Sequence, residues 1–193
     1  YGTFTPSVIK RNIFENPSWY TPYTPYQAEI AQGRLESLFN FQTVITELTG
    51  LPIANASLLD EAHAAIEAIG MVLRVSRKDQ PIWVDKGCFP QTLNVIQTRA
   101  EAMGIPLEII DVEEALTQRS DEPQAILVQY PNRNGDVIDL ETLLTKCRQH
   151  DIKSIVAADV LALTVLESPG NWGSDICIGS TQRFGVPMGF GGP

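Results

Sequence analysis

The feature that most restricts the fold is a series of short apolar runs, separated by helix-length segments, in the second half of the chain. Five such runs are bounded by turn-forming residues and are predicted to be buried strands: 81–85, 107–110, 125–130, 154–158 and 175–179. Between them, apolar residues at helical spacing predict helices at 92–103, 112–118 and 139–150. Strands that alternate with helices form a mostly parallel sheet with helices on both faces. The chain is therefore predicted to be an α/β protein.

A core-facing helix is predicted ahead of this series, over residues 27–49 and in two pieces around Gly33. Its apolar residues recur at three- and four-residue spacing, as one buried face requires: Leu35, Leu38, Phe41, Ile45 and Leu48. Gly50 and Pro52 supply the stop signal.

A second helix is predicted from Ser57 to about Lys78. Ser57 and Asp60 fit a capping box, in which the serine oxygen accepts from an unpaired amide and the aspartate favours the positive helix end. The residues expected to be buried lie on one face: Ala62, Ala65, Ile66, Ile69 and Leu73.

The length of 193 residues indicates a single domain, 1–193, with an extended N-terminal arm over residues 1–26. The arm carries four prolines and seven aromatic residues. Because proline fixes φ and pushes the preceding residue towards extended geometry, residues 20–26 are expected to form a polyproline-like strip.

Charge and cysteine content exclude several classes of function. A formal net charge of −9 repels phosphate backbones and anionic membrane surfaces, so neither nucleic acid nor a membrane is an expected partner. No apolar run approaches the roughly 18 residues needed to span a bilayer. Cys88, Cys147 and Cys177 are widely spaced without a Cys-x-x-Cys pair, which is typical of thiols in a reducing compartment.

Three candidates for a functional site follow predicted strands, where parallel sheets gather their chemistry. They are the turn 131–135, the carboxylate of Asp159 and the glycine-rich stretch 179–193. The last nine residues of that stretch hold four glycines and two prolines, which demand a tightly turned backbone that can approach another surface closely.

Four segments of the sequence resemble signature segments of one family: 20–29, 53–62, 97–100 and 180–193. They are similar to the N-terminal half, or separate alpha subunit, of the P-protein of the glycine cleavage system. In the other half of that family, a lysine just before the related glycine-rich loop holds pyridoxal phosphate as a Schiff base. Gln182 takes the place of that lysine here, and an amide nitrogen does not form an imine with an aldehyde.

The resemblance implies a fold-type-I pyridoxal-phosphate-dependent transferase large domain, and an excised portion of a longer chain, because both ends fall in segments that continue in the family. It implies an oxidoreductase that decarboxylates glycine and passes the aminomethyl group to the lipoyl group of the H-protein. The cofactor would belong to the catalytic half or beta subunit, and this portion alone would be inactive. The whole would be a homodimer or heterotetramer, cytoplasmic in a bacterium or in the mitochondrial matrix of a eukaryote.

The resemblance also implies roles for particular residues. Tyr23 and Tyr26 border the active site of the partner half, where their hydroxyls either bind the substrate or simply reach water. Asp159 stands where this class places the aspartate that pairs with the pyridine nitrogen; with no lysine at 182, it serves instead as a structural acceptor. The turn 131–135 resembles one that approaches the cofactor ring, although a plain turn explains it equally well. Near Ser57, the bulky side chains of Leu58 and Leu59 and the negative charge of Asp60 disfavour a phosphate-binding site.

No catalytic, cofactor-binding or metal-binding residue is expected in the chain itself. His63 and His150 are the only histidines, and neither lies in a metal-binding or triad pattern. Of the five lysines, Lys86 has the sequence context most similar to that of a Schiff-base lysine, since it ends a predicted strand. Two alternative functions stay open: a non-catalytic scaffold or regulatory module of the same fold, and an autonomous fold-type-I enzyme, which Gln182 opposes.

Overall fold

A computed structural model describes residues 2–20, 27–55 and 57–186. In that part of the chain five strands form one parallel sheet: β1 (Ile82–Asp85), β2 (Leu107–Ile110), β3 (Ala125–Tyr130), β4 (Lys153–Ala158) and β5 (Ile176–Ile178). The strand order is β2-β1-β3-β4-β5, and every neighbouring pair is parallel. Each strand lies where the sequence predicts it, with ends displaced by no more than one residue. The predicted parallel sheet is therefore confirmed.

The described helices are α1 (Ser7–Ile9), α2 (Gln32–Thr49), α3 (Glu61–Ser76), α4 (Pro90–Met103), α5 (Val112–Gln118) and α6 (Leu140–Gln149). Aspartates cap the N-termini of three of them, α3, α5 and α6. Asp111 Oδ1 accepts from the Glu114 N–H at 3.0 Å, and Asp139 Oδ1 accepts from the Thr142 N–H at 3.1 Å. These caps satisfy amides that have no partner within the helix.

Two apolar cores lie on opposite faces of the sheet, because successive side chains along a strand point to opposite faces. On one face, Ile126 and Val128 of β3 pack with α5 and α6. On the other face, Ala125 and Leu127 of the same strand pack with α3 and α4. Both faces of β3 are thus buried, which explains its continuous apolar run.

The prediction of two helical pieces around Gly33 is wrong. Residues 28–30 form a turn, and α2 then runs without a break from Gln32, so Gly33 lies in its first turn. The predicted core-facing residues of α2 are only half-buried, and Thr49 is the one described residue of this helix that is buried. Because α3, α4, α5 and α6 already cover the sheet, α2 packs against the short turns Ala162–Thr164 and Pro169–Trp172.

The predicted cap of α3 is also wrong. The helix begins at Glu61 and its N-cap is Asp60, whose Oδ1 accepts from the His63 N–H at 2.8 Å. Ser57 is exposed and lies before the helix, since aspartate is itself a preferred N-cap and the chain uses the later of the two caps. The helix ends at Ser76, two residues before Lys78. Four of its predicted core residues are buried, and Leu73 is partly buried.

The N-terminal segment contacts the turn Thr181–Phe184. Thr3 Oγ1 donates to the Gln182 carbonyl at 2.9 Å, and the Arg183 guanidinium donates to the Gly2 carbonyl. Residues 7–19 of the predicted extended arm form short helical turns, so this part is not extended. Most of the predicted polyproline-like strip lies outside the described residues. Across the described ranges, no helix has both the length and the apolar character needed to cross a bilayer.

Candidate functional site

A cavity of about 430 Å³ lies at the carboxyl edge of the sheet. The starts of α3 and α4, the ends of β3 and β4 and the turn Thr181–Phe184 enclose it. Three residues that the sequence singles out meet on its wall: Asp60, Asp159 and Gln182. Ligands of open α/β sheets bind at this edge, so the cavity is the candidate site.

Asp159 directly follows β4 and is held by protein donors. Its Oδ1 accepts from the Leu161 N–H at 3.0 Å and from Arg183 Nε at 2.9 Å. The ion pair is well buried, because the side chains of Arg183 and Asp159 are 16% and 8% exposed. A carboxylate that is already paired with an arginine fits the structural role better than a role at a cofactor ring.

Asp60 binds the backbone amide that an anion would use at the start of α3. Its Oδ2 also lies 2.8 Å from His63 Nδ1. The backbone hydrogen bond from His63 lowers the pKa of Asp60, so the carboxylate is charged at neutral pH. A negative charge at this position repels a phosphate dianion. Ser57 does not line this cavity.

Gln182 lies on the cavity wall through a short turn. Its N–H donates to Ser180 Oγ at 3.3 Å, and its carbonyl accepts from Thr3. All five lysines are among the described residues, and none of them lines the cavity. Lys86 is exposed and its Nζ lies 3.0 Å from Asp111 Oδ2, as a solvated turn residue would.

Pyridoxal phosphate requires an amine for its aldehyde, backbone amides for its phosphate and a carboxylate for its ring nitrogen. In this chain Gln182 offers a carboxamide in place of the amine. The backbone amides for the phosphate would come from a helix start that Asp60 already caps. The carboxylate for the ring nitrogen would be Asp159, which is paired with Arg183. The described residues therefore do not fit that cofactor.

Glu61, Gln129 and Arg183 also line the cavity, and the sequence does not indicate a role for them there. Gln129 is 2% exposed, and its Nε2 donates to the Ala157 carbonyl at 2.9 Å. Burial raises the pKa of the Glu61 carboxyl. Gln129 is polar within the apolar strand β3, and this is the signal that identifies its position, because a buried polar side chain demands an explanation.

Other residues singled out in the sequence lie away from the cavity or outside the description. The turn 131–135 is closed by Asn132, whose Oδ1 accepts from the Asn134 N–H at 2.9 Å and the Asp136 N–H at 3.0 Å. None of its residues lines the cavity, which agrees with a plain turn. Tyr23, Tyr26 and residues 187–193 of the glycine-rich stretch lie outside the described residues.

The histidines and cysteines form no shared site. His63 contacts Asp60, and His150 Nδ1 lies beside Glu122 Oε1. Cys88, Cys147 and Cys177 are free thiols. Within the described ranges there is no group of three histidine, cysteine or acidic side chains that could hold a metal ion.

Comparison with known proteins identifies similar sequences. The family model described as "Glycine cleavage system P-protein" matches residues 1–193. The mitochondrial glycine dehydrogenase (decarboxylating) of Dictyostelium discoideum is 53% identical over 195 residues, covering 100% of this chain and 19% of that protein. The glycine dehydrogenase (decarboxylating) of Saccharophagus degradans is 54% identical, covering 100% of this chain and 20% of that protein. The chain thus spans about a fifth of the length of these relatives.

Solved structures agree. A crystal structure of glycine decarboxylase (P-protein) in inhibitor-bound form has a TM-score of 0.85 at 36% identity, covering 100% of this chain and 44% of that chain. A NifS-like protein has a TM-score of 0.65 at 11% identity, covering 97% of this chain and 55% of that chain. At that identity the second likeness shows the fold alone. The predicted fold-type-I transferase class is confirmed.

Proposed function

Because the chain belongs to the glycine cleavage system P-protein family, we propose that it is part of a glycine decarboxylase and supplies a half that does not hold the cofactor. The whole enzyme would decarboxylate glycine with pyridoxal phosphate and pass the aminomethyl group to the lipoyl group of the H-protein. One observation supports this division between the two halves: Gln182 stands where the resemblance places the Schiff-base lysine.

Two other residues of the cavity wall support this proposal. Asp60 and Arg183 would each oppose the cofactor even if a lysine were present, because one brings a negative charge to the phosphate position and the other neutralises Asp159. The chain retains the sheet and both cores of the fold. This chain would thus contribute shape and contact surface to the enzyme, and the rest of the protein would bind the cofactor.

A cofactor-mapping experiment tests this division. The complete protein is loaded with pyridoxal phosphate, reduced with borohydride and digested, and the pyridoxyl-lysine is located by peptide mass spectrometry. We expect the label on a lysine outside this chain. A stoichiometric label on any of the five lysines of this chain would refute the proposal. As a stricter test, Gln182→Lys should also gain no label, because Asp60 and Arg183 remain.

We also propose that the tyrosine hydroxyls of Tyr23 and Tyr26 bind glycine at the site of the partner half. In the complete enzyme, Tyr23→Phe or Tyr26→Phe should lower kcat/KM for glycine by about 2- to 12-fold, as the loss of a neutral hydrogen bond implies. Tyr20→Phe is the matched control, since its side chain is exposed in the same segment. Unchanged turnover in both variants would favour the alternative of a non-catalytic scaffold.

The assembly and compartment are further parts of the proposal. The half-buried apolar face of α2 supports an interface with the catalytic half, within a homodimer or heterotetramer. The relatives include mitochondrial and bacterial proteins. We therefore expect the mitochondrial matrix in a eukaryote and the cytoplasm in a bacterium. Glycine decarboxylation by separately purified halves, alone and mixed, tests the requirement for both.

A further inference from the structure

The turn between β3 and α6 contains a chemically labile pair of residues. Of the eight asparagines in the sequence, Asn134 alone is followed by a glycine. Both Asn134 and Gly135 are exposed. Asparagine amides are among the thermolabile groups of proteins, and glycine has no side chain to hinder an approach to its nitrogen. This pair therefore allows the main-chain nitrogen to reach the side-chain amide that precedes it.

The two asparagines of this turn differ in how firmly their side chains are held. Asn132 Oδ1 accepts from two backbone N–H groups, and Asn132 Nδ2 donates to Asp136 Oδ2 at 3.0 Å. The Asn134 side chain forms no hydrogen bond with any residue that the structure describes. It can therefore rotate towards the following nitrogen, whereas Asn132 must first break its hydrogen bonds.

We propose that Asn134 is a site of spontaneous deamidation, in which the main-chain nitrogen of Gly135 displaces ammonia from the Asn134 side chain. Hydroxide removes the Gly135 N–H proton, and the electron pair of that nitrogen forms a bond to Asn134 Cγ. The bond between Cγ and Nδ2 breaks, and Nδ2 leaves as ammonia after taking a proton from water. Water then opens the resulting succinimide at either of its carbonyl groups, which yields aspartate or isoaspartate. The net reaction consumes water, releases ammonia and involves no oxidation or reduction.

One hydrogen bond slows this reaction in the folded protein. The Gly135 N–H donates to the Asn132 carbonyl at 2.9 Å, so the turn must open before the nitrogen attacks. Residues 133–137 are all exposed, and opening the turn therefore uncovers no part of either core. Deamidation of Asn134 should thus be slower in the folded protein than in the unfolded chain, yet still proceed.

Incubation of the complete protein in mildly alkaline buffer, made with water that carries heavy oxygen, tests the proposal. Digestion and peptide mass spectrometry then locate each asparagine that has become aspartate or isoaspartate. We expect both labelled products at position 134, formed about tenfold or more faster than at Asn132, whose hydrogen bonds must break first. Asn134→Gln is the matched control, because the longer side chain would have to close a larger ring. It should keep its amide.

Three results would overturn the proposal: an Asn134 that stays intact in the folded protein, equal rates at Asn134 and Asn132, or equally fast loss of the amide in Asn134→Gln. The same incubation in urea shows whether an intact Asn134 is protected by the folded turn or is inert in itself. The melting temperature of Asn134→Gln confirms that the variant is folded. The outcome is independent of the pyridoxal phosphate experiment, which reports on lysines.

Discussion

Gly170→Ala is expected to loosen the end of α2. A Cβ atom at Gly170 would lie 2.3 Å from the Gly50 carbonyl carbon, 2.4 Å from the Gly50 oxygen and 2.7 Å from the Thr49 oxygen. All three are backbone atoms, so no side-chain rotation relieves the overlap. The helix end and the turn Pro169–Trp172 must move apart. Overpacking of this kind costs about 1–3 kcal/mol.

Hydrogen–deuterium exchange in the complete protein measures this effect where it arises. A cost of about 1–3 kcal/mol corresponds to exchange that is about 5- to 150-fold faster at amides of α2 that open when the helix undocks. Peptides from α4 serve as an internal reference, because α4 packs in the core on one face of the sheet and Trp172 of this turn packs against the core on the other.

Gly70→Ala is the matched control. A Cβ at Gly70 meets only the flexible end of Arg74, at 3.5 Å or more, and alanine in the middle of α3 should stabilise the helix by about 0.5–1 kcal/mol. If α2 exchanged at the same rate in Gly170→Ala as in the unaltered protein, the close approach of the two glycines would not hold α2, and the reasoning would be refuted.

Three other substitutions or modifications have defined outcomes. Asp60→Ala removes the cap of α3 and should cost about 0.5–2 kcal/mol, seen as faster exchange in the first turn; no change would show that another group caps it. Burial raises the pKa of Glu61 in the folded state above the ordinary value of 4.5. The unfolded chain then loses this proton first, so stability falls as the pH rises from 4.5 through the folded pKa. Glu61→Gln should remove that fall from a series of melting temperatures, and an identical series would contradict it. Burial raises the pKa of Cys147 to about 12, so iodoacetamide should label it only after denaturation, and rapid labelling of the native protein would contradict this.

The strands are predictable from the sequence because burial of the sheet leaves short apolar runs, and most helices are predictable because one buried face leaves apolar residues at helical spacing. The strand 125–130 and the helix 112–118 are examples, and the structure places both at the predicted residues. The starts of helices are harder to predict. Ser57 and Asp60 are both good N-caps, and the local sequence does not show which of them the helix uses. The half-buried face of α2 has the same period as a core face. Whether such a face is fully buried or half-buried depends on whether other helices already cover the sheet.

The candidate site is only partly predictable for a similar reason. Asp159 and Gln182 follow strands, so their position at the carboxyl edge of the sheet can be predicted from the sequence. The pairing of Arg183 with Asp159 joins residues that are far apart in sequence and depends on the path of the turn between them. Nothing in the spacing of Glu61 and Gln129 indicates that their side chains meet. Such contacts belong to tertiary structure alone.

The salt bridge between Arg183 and Asp159 makes it difficult for this cavity to gain cofactor chemistry by single substitutions. Replacing the arginine alone strands a buried carboxylate, and replacing the aspartate alone strands a buried guanidinium, so each intermediate is less stable than its parent. A new lysine at 182 would arrive beside a guanidinium that repels it. A gain of cofactor binding would therefore require coordinated changes on separate elements of the fold.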